Sequence, residues 1–402
     1  MRHPWENPEV LRFAEEALRQ KTDILKLSEK LSKGPFAEMR SEILDYIALV
    51  PKFRKKFRTE AFLACDRLAL EQSTAADIGI YKARLFPKGE SIDDLCCGMG
   101  GDSFFLSKNS TVRGYDLSPD RTAMYRFNTK AMGHEREAVL SDVRTVSSKG
   151  SLFTVDPARR EKVGDNQRNF SELTPTLEEI LEISRLYRGG MAKLPPGFPT
   201  GNFPADAEIL YIGSRNDCRE CLLLFGALAS HKGKERAVTV DLLGNAHEWI
   251  SGRNFSEFSE AGELPVGNLM EFISEPLPVL VRSHLFSEVA LESAPEARLV
   301  SPKIAYVTSK SPLESTAFRS YRVLGHVPLS TGKVKGLLRA FDIGKLTLKK
   351  RGVEIVPEAE IRRLSPKGHR EGILFYTRLQ GEKAAILAVP VRGETSKPQD
   401  LW

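Results

Sequence analysis

Residues 92 to 102 of this 402-residue chain read Ile-Asp-Asp-Leu-Cys-Cys-Gly-Met-Gly-Gly-Asp. A short apolar approach ends in Asp94, small residues follow through Gly98, Gly100 and Gly101, and Phe104-Phe105-Leu106 then begins a helical run. Strand, glycine turn, helix is how an open α/β sheet builds a ligand site at its carboxyl edge, because glycine lets the backbone approach a ligand with no Cβ in the way. A turn made for a pyrophosphate has the spacing Gly-x-Gly-x-x-Gly. Counted from Gly98, the third glycine would fall at 103, where Ser103 stands. An acid four positions before the first glycine suits a ligand that carries an ammonium. On this stretch alone, a glycine turn in some other α/β protein stays open as an alternative.

Two further acids fall where the same sheet edge would place them. The run Thr111-Val112-Arg113-Gly114-Tyr115 ends at Asp116, where a carboxylate can bind two ribose hydroxyls. Ala138-Val139-Leu140-Ser141 ends at Asp142. Three strand-end acids after a glycine turn resemble the class I S-adenosylmethionine (SAM)-dependent methyltransferases, whose first motif is Asp/Glu-x-x-x-Gly-x-Gly. In that family the acid after the third strand accepts from the adenine amino group. The acceptor reaches the methyl group beside the fourth strand, which here ends in Asp156-Pro157-Ala158-Arg159-Arg160. Enzymes of exocyclic amines carry Asp/Asn/Ser-Pro-Pro-aromatic there, so Asp156-Pro157 keeps the first half and Ala158-Arg159 replaces the stacking half. The two arginines point to phosphate or carboxylate anchoring, or to salt bridges with nearby acids. Lys193, in Lys-Leu-Pro-Pro-Gly, falls at the end of the fifth strand, as a substrate contact or a solvated lysine.

Together with Glu-Gln-Ser-Thr at 71–74, Ile-Ala-Tyr-Val-Thr-Ser at 304–309 and the late Lys-Lys-Arg-Gly, these stretches resemble bacterial class I SAM methyltransferases with a C-terminal THUMP-like domain. Their catalytic part is similar to the RNA cap guanine-N2 methyltransferases. The resemblance implies SAM contacts from Asp94, Cys96, Gly98, Gly100, Asp102, Asp116, Leu117, Asp142 and Val143. It gives Asp156, with Pro157, the task of orienting the target nitrogen. It makes Arg159, Arg160 and Lys193 substrate contacts, and has Lys349, Lys350 and Arg351 face RNA phosphates. Gln72, Ser73 and Thr74 become second-rank cofactor contacts.

The elements that must position these residues follow from periodicity. Residues 1–87 form an N-terminal helical region, with helices from Pro8, over Asp23 to Leu31 and over Phe36 to Leu49, the last closed near Pro51. Lys52-Phe53-Arg54-Lys55-Lys56-Phe57-Arg58 is either a phosphate-binding run or an amphipathic helix face. Residues 88–252 form the methyltransferase domain, with strand runs at 91–95, 111–115, 138–141, 152–155, 190–194, 208–212, 236–241 and 247–250. The last two form a hairpin, as the antiparallel end of a mostly parallel seven-stranded Rossmann-like sheet. Asp217 to Ala229, with Cys218 and Cys221, is expected as a buried helix. Residues 270–392 form an α+β, THUMP-like domain.

No apolar run reaches the ~18 residues of a membrane span, and no Cys or His pairing has zinc spacing. Five cysteines make no disulfide framework, which fits a cytoplasmic protein. The net charge of +6 is uneven: residues 270–402 hold 21 Lys and Arg against 14 Asp and Glu. Such a basic third suits a nucleic acid. The expected function is therefore SAM-dependent methylation of a base nitrogen in structured RNA, tRNA or rRNA, without metal or membrane. A protein or small-molecule acceptor, or a non-catalytic RNA-binding protein with SAM as structural ligand, remain the alternatives.

Overall fold

The computed structural model describes residues 3–147, 150–159, 173–199, 203–255, 264–313 and 316–391. The chain divides into two compact units, one of residues 1–214 and 219–248, the other of 215–218 and 249–402.

The first unit begins with α1 (Pro8–Arg19), α2 (Ile24–Ser32), α3 (Arg40–Phe57), α4 (Arg67–Gln72) and α5 (Ala76–Leu85). Asn7, Asp23 and Asp66 cap α1, α2 and α4 by accepting from backbone N–H groups of the first turn. Contrary to expectation, α3 does not close at Pro51 but runs through it to Phe57. Packing overrides the lost hydrogen bond: Val50, Phe53 and Phe57 on either side of the proline are buried in one core with Trp5, Leu63 and Leu70. This decides the reading of the basic aromatic run. Its rings face the core, and Arg54 is paired with Glu15 at 2.7 Å, so it is an amphipathic helix face.

The sheet contains nine strands among the described residues, where seven were expected. They are β1 (Ser91–Leu95), β2 (Thr111–Asp116), β3 (Ala138–Leu140), β4 (Leu152–Val155), β7 (Gly189–Leu194), β8 (Glu208–Gly213), β9 (Cys218–Gly226), β10 (Lys234–Val240) and β11 (Ala246–Asn254). A separate two-residue ladder pairs β5 (Ala158–Arg159) with β6 (Leu173–Thr174). The strand order is β11-β10-β8-β9-β7-β4-β1-β2-β3. Strands β1 to β4 and β7 run parallel, so their carboxyl ends share one edge. The helix expected over 217–229 is instead β9, antiparallel to β7. A continuous apolar run such as Cys221-Leu222-Leu223-Leu224-Phe225 has no period that separates a buried strand from a buried helix. The antiparallel strand among the carboxyl-edge strands is therefore β9, inserted between β7 and β8, while β10 runs parallel to β8 and turns into β11. Helices α6 (Ser103–Leu106), α7 (Pro119–Ala131) and α8 (Leu177–Ser184) complete the unit.

The second unit is a seven-stranded sheet of β12 (Phe272–Pro276), β13 (Arg298–Ser301), β14 (Ile304–Ser309), β15 (Phe318–Pro328), β16 (Ile343–Lys350), β17 (Arg370–Leu379) and β18 (Glu382–Pro390). Helices α9 (Pro278–Arg282) and α10 (Phe286–Ser293) follow β12, and α11 (Thr331–Ala340) and α12 (Pro357–Leu364) flank β16. Two apolar clusters fill the unit. One holds Val334, Leu338 and Leu364 of α11 and α12 against Leu374 and Leu387; the other holds Tyr306, Tyr321, Phe375 and Ile386.

Candidate active site

The turn after β1 carries three positive φ values, at Cys96 (61°), Gly98 (53°) and Gly100 (90°). Cys96 adopts the left-handed conformation at a cost of about 1–2 kcal/mol for a residue with a Cβ, so the turn is held by its surroundings. Asp116 supplies part of that hold: its Oδ2 accepts from the Gly98 N–H at 3.0 Å and its Oδ1 from the Ser118 N–H at 2.9 Å. Each oxygen keeps a further acceptor position, so a ribose diol can still bind. Asn128 of α7 locks the turn from behind, donating to the Met99 and Ala64 carbonyls, both at 2.9 Å, and accepting from the Ala64 N–H. A Cβ on Gly98 would meet nothing within 4 Å, so the turn faces open space there. On Gly101 it would come within 3.1 Å of the Ser73 Cβ. The Ser73-Thr74 segment therefore lies directly against the turn.

The acids around the turn are in three electrostatic states. Asp94 is buried and accepts from the Ser103 hydroxyl at 2.5 Å. Burial, reinforced by the Asp102 charge, pushes its carboxyl up to about 8. Burial would raise Asp102 too, but the Lys82 ammonium 2.7 Å from its Oδ2 outweighs that and holds it below the usual carboxylate range. Its other oxygen, Oδ1, is buried without a hydrogen-bond partner. Asp142, after β3, is gripped by the Arg144 guanidinium, which holds its carboxyl low. Leu117 is 59% exposed beside Asp116, and Val143 is buried beside Asp142. An open glycine cradle, an orphaned buried carboxylate oxygen, a strand-end acid for a diol and an exposed apolar side chain for an adenine face fit SAM. Asp102 and Asp94 would hold its ammonium end, Asp116 its ribose, and Leu117, Asp142 and Val143 its adenine.

Asp156 follows β4 on the same edge, its N–H donating to the Leu95 carbonyl at 3.3 Å. Its carboxylate accepts from Lys193 Nζ at 2.7 Å. Protein packed around Asp156 raises its pKa, and Lys193 opposes the rise. Burial alone would lower the Lys193 ammonium, but Asp156 and Glu220 outweigh it and raise it. Lys193 also donates to the Gln72 carbonyl at 3.1 Å, while Lys56 donates to the preceding carbonyls of Leu70 and Glu71 at 2.5 and 3.1 Å. Two ammonium groups thus cap consecutive carbonyls at the end of α4. Burial and the Lys193 charge push Lys56 down to about 8. Lys193 is therefore an ion-paired residue of the site, not a solvated one. Arg160 and the side chain of Arg159 lie outside the described residues.

Two residues of this edge had no signal in the sequence. Lys82 of α5 is 1% exposed and bonds Asp102 at 2.7 Å and Glu220 at 3.1 Å. Glu220 stands on β9, accepting also from Thr74 Oγ1 at 3.2 Å. A lone lysine in Ile-Tyr-Lys-Ala-Arg and a glutamate in a strand read as a helix have no spacing that connects them. Thr74 joins this group.

In the second unit, the Lys349-Lys350-Arg351 stretch is not a free basic patch. Lys349 and Arg351 both pair with Glu275 and lie over the rings of Tyr321 and Tyr306, at 5.6 and 4.8 Å from the ring centres. Alternation along the strand turns these two toward the Tyr306–Phe375 core, where an unpaired cation would be costly. Lys350 alone points outward, donating to the Ile355 carbonyl at 2.6 Å. Among the described residues no group of His, Cys, Asp and Glu could hold a metal ion, and no helix is long and apolar enough to cross a membrane.

A crystal structure of a Porphyromonas gingivalis protein, described as a candidate methyltransferase, superposes with a TM-score of 0.75 at 20% identity, over 96% of this chain and 98% of that one. The first unit has the class I SAM-dependent methyltransferase fold. Two proteins from strains of Mycobacterium tuberculosis, each named an uncharacterised SAM-dependent methyltransferase, are 29% identical over 320 residues, 77% of this chain and 83% of theirs. Residues 318–390 match the family model described as THUMP domain-like. That segment spans β15 to β18, so the C-terminal unit of this methyltransferase-fold chain carries the THUMP-like element.

Proposed function

We propose that this protein is a SAM-dependent methyltransferase that methylates a base nitrogen of structured RNA, tRNA or rRNA. The observation that carries the reading is Asp156: a carboxylate at the end of β4, one strand from the glycine turn, fixed by Lys193 at 2.7 Å. SAM supplies an electrophilic methyl on its sulfonium, so transfer is a direct displacement. The chain's task is then to aim a nitrogen lone pair and to exclude water. Asp156 Oδ accepts one N–H of the acceptor amine and a neighbouring backbone carbonyl accepts the other, which turns the lone pair toward the donor. Pro157 fixes the backbone of that contact. Lys193 keeps Asp156 ionised where its surroundings favour the neutral acid. As the nitrogen becomes cationic, Asp156 stabilises the charge, which is where preorganised groups contribute most.

Support for RNA comes from the THUMP-like match at 318–390 and from the excess of 21 basic over 14 acidic residues in 270–402. The test is transfer of labelled methyl from SAM to total RNA from cells lacking the gene, followed by nucleoside analysis. A labelled methylnucleoside is expected. Unlabelled RNA, with SAM binding confirmed in parallel, would move the acceptor to a protein or small molecule.

A further inference from the structure

Five ionised side chains form an alternating chain along the carboxyl edge. Asp102 contacts Lys82 at 2.7 Å, Lys82 contacts Glu220 at 3.1 Å, Glu220 lies 3.8 Å from Lys193, and Lys193 contacts Asp156 at 2.7 Å. One end lies at the cofactor turn and the other at the acceptor carboxylate. The middle is deeply buried: Lys82 is 1%, Glu220 5% and Asp102 8% exposed. Its anchors come from four separate elements, α5, the turn after β1, β9 and β7, together with the residue after β4.

Three anions face two cations, so the chain carries a net charge of −1 in a poorly solvated place. Asp94, the remaining acid at the turn, is raised partly by that field, since Asp102 and Asp156 both push it up. The Asp102 oxygen aimed away from Lys82 has no partner. An uncompensated negative charge with an orphaned buried acceptor is a site that waits for a cation. The methyl donor and its demethylated product share the adenosine and the amino-acid end. They differ by the methyl and by the sulfonium charge.

We infer that Asp102, Lys82, Glu220, Lys193 and Asp156 act as one charge relay, centred on Glu220, that selects the cationic methyl donor over its neutral product and ties that selection to Asp156. This rests on the methyl-transfer reading of the site, and deepens it. Glu220 touches neither ligand; it is a positioning residue that acts through two lysines. With the donor bound, its positive charge balances the chain. After transfer the sulfonium charge is gone, the −1 is again uncompensated, and the product is held less tightly. By linkage the effect is reciprocal: whatever weakens the Lys193–Asp156 end changes donor affinity at the Asp102 end.

The test uses the full chain, with SAM and S-adenosylhomocysteine each titrated calorimetrically into the wild type and into Glu220→Gln. The expected result is a donor affinity lower by about tenfold in Glu220→Gln, with product affinity changed by less than about threefold, so that the preference for SAM falls by roughly the difference. Parallel losses for both ligands, or no change, would overturn the relay. Because Glu220→Gln leaves Lys82 half-paired, the double variant Lys82→Met with Glu220→Gln serves as the second arm. It removes one cation and one anion, restores the net −1, and is expected to recover most of the SAM preference. A double variant as unselective as the single one would overturn the charge argument even if both fold. These measurements need no acceptor. Absence of SAM binding by the wild type would instead refute the methyltransferase reading itself.

Discussion

Replacing Lys82 by Met tests the deepest electrostatic claim about the first unit. The side chain is 1% exposed, and its ammonium is shared by Asp102 at 2.7 Å and Glu220 at 3.1 Å. Methionine keeps the length of the side chain, so little cavity is created, and the loss is the stranding of two buried carboxylates. Breaking a buried ion pair from one side costs about 3–5 kcal/mol. At about 2–4 °C per kcal/mol for a unit of this size, the melting temperature should fall by roughly 6–20 °C at pH 8. The pH dependence carries a sign. In the wild type, Asp102 sits below its unfolded pKa, so it contributes stability above about pH 4 and loses it as the pH falls further. Without Lys82, burial dominates and the folded pKa rises above the unfolded one, so the contribution reverses and grows more unfavourable with rising pH. The gap between the two proteins should thus be small near pH 4 and widen toward pH 8. Calorimetric melts of wild type and variant across that range measure it. A Lys82→Met protein that melts within about 2 °C of the wild type at pH 8 would refute the claim.

Three other outcomes follow from the site. Asp156→Asn should lower kcat by about 10²–10³-fold, the loss typical of one preorganised polar group, while SAM affinity changes by less than the methyl-transfer rate; a variant with normal turnover would remove Asp156 from the chemistry. Burial raises Asp94 to about 8, so it is protonated below that pH, and stability from this group falls as pH rises from its unfolded value toward 8. A cationic ligand beside it should release a proton at pH 6.5 and little at pH 9, read as a buffer-dependent binding enthalpy; equal release by Asp94→Asn would assign the proton elsewhere. In the second unit, Glu275→Gln should lower the melting temperature, because it strands Lys349 and Arg351 over the Tyr321 and Tyr306 rings. Lys350→Ala should leave the melt unchanged and reduce the salt dependence of any RNA binding by about one ion; the reverse pattern would refute the structural reading of the pair.

What could be read from the sequence was whatever depends on neighbours along the chain. β1 occupies the expected 91–95, and β2 and β4 fall within a residue of expectation, because each is a short apolar run closed by an acid or a turn. The glycine turn declared itself because its φ values demand glycine at 98 and 100, although the same geometry also holds Cys96, which no pattern would nominate. The errors share one cause. Pro51 ends a helix in isolation but not when Val50, Phe53 and Phe57 are all wanted by one core. The 218–226 run reads equally as helix or strand until it has neighbours on both sides, and here β7 and β8 provide them.

That single misreading hid more than a strand. Glu220 stands on β9 with its side chain toward the carboxyl edge, in reach of Lys193 on the paired strand β7 and of Lys82 on α5. On a helix its side-chain neighbours would have been the residues one turn away along its own segment, and no route to Lys193 would exist. The ion pairs of the site are long-range in this sense: Lys82 and Glu220 are 138 residues apart, Lys193 and Asp156 are 37 apart. Sequence spacing carries no information about pairs made only when separate strands lie side by side. Lys349 and Arg351 show the converse. Their charge is legible in the sequence and invites a phosphate, but Glu275 lies on a strand 74 residues before Lys349, and the fold has already matched them. Net charge over a third of the chain can therefore indicate the kind of partner, while the particular residues that meet it have to be those the fold leaves unmatched, of which Lys350 is the one in this stretch that faces outward.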